Sequence, residues 1–555
     1  MLRRRDFIRI AGLSGLGLYV ESALPAFGKL IENHSGDIDN LNRALSIAKS
    51  IEDRAYRARS ICRVAEGFHK AGNKGMSEVL LSKALNISFE AGKRRDYALE
   101  AAGNYYLSTG DIKKVLQIIE IMDRENIMRN LLLSKTAYFA YTKGDTALTE
   151  SLLCRLDPSS PLEYSGLWKS SNRPFLEYLE RVYRVSRRSY YAEHLATGWF
   201  ELGEMTKGFR YLEEIWNYSP HDAIKIAAKY LPKGEMTAIE ERALSLGDET
   251  YRIESLLALS DYYVKTDQEK ALSTIGRIID FTGDDLSADT CGRIGRLLVR
   301  AGDKEKGRRY LYSVPDLVIN HYSDMPEEDI LPIFRHYLEE LMVEFITAGL
   351  QDEIPRLLND LDRKGIIYEE PLWYPGITKM AADSGCRDNA LSFLEKEIER
   401  VSEKALPGRI NCLSAIASSL LAQNERKKGI ETARKVMNDL EALLSNRNLK
   451  SRIDFAYLSP VPYIKHSDMI FLDAVPRLSL ELAEQGFTGE SRELSDMVGD
   501  RRLDDAVRYH TALYLSKTGR LEEALKTAAG IRDEKQRGSA MYEVVCWMVS
   551  WGIET

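Results

Sequence analysis

One phrase returns along the chain and leaves little choice of fold. FHKAGNKGMSEVLLSKAL from Phe68, YLSTGDIKKVLQIIEIM from Tyr106, YTKGDTALTESLL from Tyr141, LVRAGDKEKGRRYLYSV from Leu298 and LSKTGRLEEALKTAAGI from Leu515 share one design. Each places apolar residues at helical spacing, then Gly or Asn with a polar residue, then a second helical run. That is a helical hairpin with a tight turn. The turns fall at Gly72, Gly110, Gly144, Gly203, Asp267, Gly302, Gly349, Gly385, Asn424, Gly486, Gly519 and Gly552, most of them 33 to 39 residues apart. A period of that length marks a stacked helical array. The expected fold class is all-α, an α-solenoid of stacked antiparallel helix pairs.

The residues around each turn explain the recurrence. Seven positions before the turn stands a small side chain, as at Ala65, Gly103, Ala137, Ala196, Ser260, Gly295, Ala417, Ser479 and Ala512. Five positions after it another recurs, at Ser77, Thr149, Gly208, Gly307, Ala390, Gly429 and Ala524. Two helices approach closely only where the side chains between them are small. Four before the turn comes a bulky residue, including Phe68, Tyr106, Trp199, Tyr263, Leu298, Phe345 and Leu515, which fills the space one helical turn further on. With these intervals of small, aromatic, glycine and small, the chain resembles the tetratricopeptide repeat (TPR) family over most of residues 40 to 555. The resemblance implies a TPR-like superhelix used for protein–protein interaction.

An arginine also recurs fifteen residues before the turn, at Arg57, Arg95, Arg129, Arg188, Arg252, Arg409 and Arg537. In three units an Asp lies four residues earlier: Asp53, Asp248 and Asp533. An anion-binding ladder is one reading. An Asp that caps the helix and pairs with Arg one turn later is the simpler one.

The first residues, MLRRRDFIRIAGLSGLGLYV, follow different rules. Arg4, Arg5, Phe7 and Ile8 resemble the twin-arginine export motif, and the weakly apolar stretch from Ile10 to Val20 follows as that motif requires. About a dozen residues cannot cross a hydrocarbon core that needs roughly 20, so no stable transmembrane anchor is expected. As a first helix of the fold, Gly12, Gly15 and Gly17 would each cost roughly 1 kcal/mol relative to Ala. The resemblance implies a signal peptide read by the Tat translocase, folding before export, and a periplasmic or other extracytoplasmic location.

The expected organisation is a signal peptide over 1–28, a short linker over 29–39 and N-terminal repeats over 40–156. A Pro- and aromatic-rich interruption follows over 157–180. Central repeats then run over 181–445, with loops near 313–334 and 368–376, followed by a loop over 446–468 and C-terminal repeats over 469–555. Long interruptions of a regular array are where binding residues are often placed. Their aromatic and acidic side chains, Tyr164, Trp168, Tyr368, Glu369, Glu370, Trp373, Tyr374, Tyr457 and Tyr463, are candidate partner-binding residues. The plainer reading has such rings fold back over helix ends.

Chemistry is hard to find. The eight histidines show no metal-binding spacing, the six cysteines form no CxxC, and adjacent Glu369 and Glu370 would point apart on an extended loop. No catalytic residue, metal site or cofactor is expected, and the cysteines read as buried free thiols. A net charge of −7 with scattered Lys and Arg supplies no basic field for nucleic acid. The favoured function is an exported scaffold or adaptor that binds a protein or peptide partner without catalysis. The alternative is a polysaccharide hydrolase or lyase with an α/α-toroid fold, disfavoured because toroids close with about six hairpins.

Overall fold

The computed structural model describes residues 38–124, 126–155, 173–186, 189–232, 234–283, 286–321, 327–363, 374–450, 452–455 and 470–554. The chain is an all-α stack of antiparallel helix pairs. Among the described residues no helix is long and apolar enough to cross a membrane. The chain divides into two compact units, residues 1–211 with 511–555 and residues 212–510. The first unit is built from two separate stretches of the sequence.

The turns form as the glycines foretell. Gly72, Gly110, Gly144, Gly203, Gly302, Gly349, Gly385, Gly486 and Gly519 all have positive φ, and Asn424 shares it at 63°. In each, the next residue's N–H reaches back to the carbonyl of the bulky position, as in Asn73 to Phe68 (2.8 Å), Glu204 to Trp199 (2.9 Å) and Leu350 to Phe345 (2.8 Å). That closes the first helix with a Schellman motif, for which an L side chain is strained. The polar residue after the glycine then opens the second helix: Asn73, Asp111 and Asp145 accept from the N–H groups of Met76, Lys114 and Leu148.

Two turn expectations are corrected. Asp267 has φ −164° and serves at once as the C-cap of Glu249–Thr266 and the N-cap of Gln268–Thr282, so a carboxylate cap replaces the glycine turn. At Gly552 the Glu534–Glu554 helix continues through the glycine.

Within each hairpin the helices meet at the two small positions. The hydroxyl of Ser77 donates to the Ala65 carbonyl at 2.7 Å, and Ser479 and Ser491 exchange hydroxyl-to-carbonyl bonds of 2.8 and 2.6 Å. At Gly295 and Gly307 the backbones come closest. A Cβ on Gly307 would stand 2.6 Å from the Gly295 carbonyl oxygen, with no flexible side chain there to yield. The core follows from this contact: Phe68, Trp199, Phe345 and Leu298 are all almost fully buried.

The interruptions are shorter than the sequence suggests. The Lys304–His321 helix carries Pro315 inside it and Glu327–Thr347 follows, so 313–321 and 327–334 are helical rather than loop. Pro315 still has a helical φ, and its missing donor is tolerated late in a helix already held by packing. The helix Arg173–Ser186 begins inside the 157–180 stretch, and Tyr374–Asp383 begins inside 368–376. Flanking the fourth interruption, Ile453–Asp454 pairs in parallel with Ile470–Phe471. Buried Asn411 fastens its end by accepting from Ala474 N–H at 2.9 Å and donating to Asp473 at 3.0 Å.

Helices far apart in sequence also meet. Within the first unit, Glu534–Glu554 packs on both Ile38–Ser50 and Arg54–Lys70.

Gly307→Ala is expected to lower the thermal midpoint through an overpacking cost of about 1–3 kcal/mol. Gly276→Ala is the matched control, since a Cβ there meets nothing within 4 Å and Ala favours the helix. Circular dichroism melts of both variants check this; equal loss in the two would show that helix approach at Gly307 is not the cause.

Candidate functional site

The recurrent arginines are accounted for structurally. Asp53, Asp248 and Asp533 cap their helices by accepting from Tyr56, Tyr251 and Gln536 N–H. Arg57, Arg252 and Arg537 reach back to the carbonyls of Ile51, Leu246 and Ile531, each six residues earlier, at 2.5, 3.0 and 2.9 Å. They thus satisfy carbonyls just past the end of the preceding helix rather than forming the expected i,i+4 pair. Arg95 and Arg129 likewise donate to the carbonyls of Ile121 and Ile119, and Arg409 forks onto Asp439. Arg188 lies outside the described residues.

Of the candidate binding residues, Tyr374 alone is described. It is 2% exposed, and its hydroxyl donates to Glu397 Oε2 at 2.7 Å, beside Arg400. It is a core residue, because the chain has already become helical where a loop was expected. Tyr164, Trp168, Tyr368, Glu369, Glu370, Trp373, Tyr457 and Tyr463 lie outside the described residues, as do Arg4, Arg5, Phe7 and Ile8.

The polar groups that do cluster stand on the first helices of the hairpins. In the first unit, Arg59 is buried with its guanidinium between two rings, 3.7 Å from Tyr97 and 4.7 Å from Tyr542. Its Nη2 lies 3.9 Å from Glu100 Oε2. Glu100, 1% exposed, also accepts from Asn104 and from Lys135 at 3.2 Å. Burial pushes the Glu100 carboxyl up, but Lys135 and Arg59 outweigh it and the net shift is down. One turn along, Glu66 joins Arg63 at 2.5 Å and Lys70 at 2.8 Å. Burial again opposes ionisation there, yet Arg63 and Lys70 hold the carboxyl at about 2. Burial also pushes the thiols of Cys62 and Cys546 to about 12, so neither is a thiolate near neutrality.

The second unit repeats the arrangement with other residues. Arg293 donates to both oxygens of Glu254 at 2.8 Å, and Arg296 bridges Asp261 at 3.1 Å and Glu344 at 2.5 Å. Arg300 lies 3.7 Å from Asp261. Burial raises the Glu344 carboxyl more than Arg296 lowers it, whereas Arg296 remains charged because Glu344 and Asp261 overcome its own burial. Further along, His510 meets Glu484 at 2.9 Å.

These residues share an address that the sequence contained. Arg59, Tyr97, Glu254 and Asp289 stand thirteen before their turns; Arg63, Lys135 and Arg293 nine before; Glu66, Asn104, Asp261 and Arg296 six before. Alignment of the units on the turn is the sequence signal that brings them into register. Among the described residues no group of three or more His, Cys, Asp and Glu could hold a metal ion. The described cysteines are free, and Cys154 is exposed, unlike the buried thiol expected.

No family model and no curated protein sequence matches the chain. Solved structures similar to it include the Ton1535 protein of Thermococcus onnurineus NA1, 16% identical over 64% of this chain and 98% of that one, with TM-score 0.25. The human IFIT1 dimer with m7Gppp-AAAA is 13% identical over 83% and 93%, with TM-score 0.22. The pentatricopeptide repeat protein PPR10 from maize is 10% identical over 90% and 93%, with TM-score 0.20. At TM-scores this low, none of them bears on what this chain binds.

Glu66 sets a pH dependence. Its folded value of about 2 lies below the usual 4.5, so its contribution is complete above about pH 4.5 and is lost as pH falls towards 2. Glu66→Gln is expected to lower the melting temperature at pH 7 and to flatten its fall between pH 4.5 and 2. Melts across that range check it.

Proposed function

We propose that this chain is a non-enzymatic scaffold whose charged first-helix faces hold an extended, polar segment of a protein partner. The observation that carries the reading is the recurrence of partly exposed charges at equivalent positions of the first helices in both units, as with Arg293 at 20% exposure and Lys135 at 22%. A rigid stack presents such groups at fixed spacing, which suits an extended ligand better than a compact one. Alternating sign, with Arg293, Arg296 and Arg300 set among Glu254, Asp261 and Glu344, offers both donors and acceptors to a peptide.

The carboxylates on these faces argue against hydrolytic or lyase chemistry. Glu66, Glu100, Glu254 and Asp261 each lie against an arginine or lysine. General acid–base work on a glycosidic bond needs one protonated and one free carboxyl facing the same substrate. The twin-arginine resemblance adds the proposal that the scaffold works outside the cytoplasm.

Tagged protein recovered from the exported fraction is expected to retain a partner that Arg63→Ala together with Arg293→Ala loses at least tenfold. Trp168→Ala with Trp373→Ala tests the interruption loops in the same assay. Undiminished capture by the arginine variant would sink the first-helix reading. Arg4→Lys with Arg5→Lys is expected to leave the protein in the cytoplasm, which cell fractionation would show.

A further inference from the structure

The helix Glu534–Glu554 packs against Ile38–Ser50 as the first helix of a hairpin packs against its second. In an ordinary repeat the second helix packs on its own first helix and on the next one, as Lys74–Phe89 does on Arg54–Lys70 and Arg95–Ser108. Ile38–Ser50 does the same between Glu534–Glu554 and Arg54–Lys70.

The joint is fitted in detail. A Cβ built on Gly67 would stand 2.5 Å from Leu41 Cδ2 and 3.0 Å from Val549 Cγ1, so three helices converge there. Gly538 lies equally close to Asp53 and Tyr56. Leu41, Ala44, Ala48, Val544, Val545 and Val549 are buried. Ion pairs Glu52–Arg537 and Arg43–Glu522 hold the rim.

We propose that Glu534–Glu554 and Ile38–Ser50 build one repeat between them, and that this composite repeat is a clasp whose two helices dock and undock together. The hairpins among the described residues have their helices tied by a short turn. Here the paired residues Glu52 and Arg537 are 485 apart in sequence, so packing alone holds the two helices together and this joint opens without breaking a hairpin. Opening removes Tyr542 from the Arg59 guanidinium and uncovers that end of the charged face. Only this last consequence rests on the binding reading; the docking does not.

Peptide-resolved iodoacetamide labelling of the full chain tests it, with Cys546 on Glu534–Glu554 as reporter and Leu41 on Ile38–Ser50 as the site first perturbed. Leu41→Asp is expected to speed Cys546 labelling at least tenfold while the buried Cys291 and Cys412 of the second unit keep their wild-type rates. Because a buried charge is a severe change, the rim pair supplies a milder version. Arg537→Glu is expected to speed Cys546 labelling several-fold, and adding Glu52→Arg to restore it. The proposal is overturned if Leu41→Asp leaves Cys546 at its wild-type rate, if Cys291 and Cys412 accelerate equally, or if the charge swap does not restore protection. Partner capture is read separately, so failure of the clasp and failure of the binding reading remain distinct.

Discussion

Close approach of two helices at a pair of small residues is the contact on which the rest of this protein depends. Where Gly295 meets Gly307 the backbones approach directly, and where Ser479 meets Ser491 each hydroxyl bonds the other's carbonyl, so the helices of the hairpin are held close together. That distance lets the bulky residue one turn away, such as Trp199 or Phe345, be enclosed. The Schellman turn then returns the chain at the right angle. Each element is short and local, so the same solution can be used repeatedly with little dependence on what lies far away in sequence.

A frame fixed in this way leaves the outer side of each first helix free to carry polar groups. In both units those positions hold arginine or lysine against carboxylate across neighbouring helices. Such pairs add little to stability when exposed, but the buried members are tightly held, because an unpaired charge there costs several kcal/mol. Arg59 shows the extreme case: two tyrosine faces and a carboxylate orient one guanidinium. Order of this kind presents charge with little conformational entropy left to lose when a ligand arrives.

In the sequence the interruptions carry the conspicuous aromatic and acidic residues, yet Tyr374, the one candidate among them that is described, is core. The reason is physical. An aromatic beside proline and acid looks like a binding loop, but a hydroxyl that can reach Glu397 allows the ring to be buried. The charged faces are inconspicuous in sequence for the opposite reason: a Glu or Arg in a helical pattern looks like ordinary solvated surface until its neighbours on the next helix are known.

Local chemistry alone determined the helix pairs, nearly all the turns, and the small and bulky positions that pack them, since each rests on residues within a dozen positions of one another. Three things needed the tertiary structure. Pro315 sits inside a helix because packing compensates for its missing donor. Arg57, Arg252 and Arg537 bind carbonyls just past the end of the preceding helix because these lie within reach of their side chains. Ile38–Ser50 and Glu534–Glu554 pair beside a contact between residues 485 positions apart, a distance over which no sequence pattern signals contact.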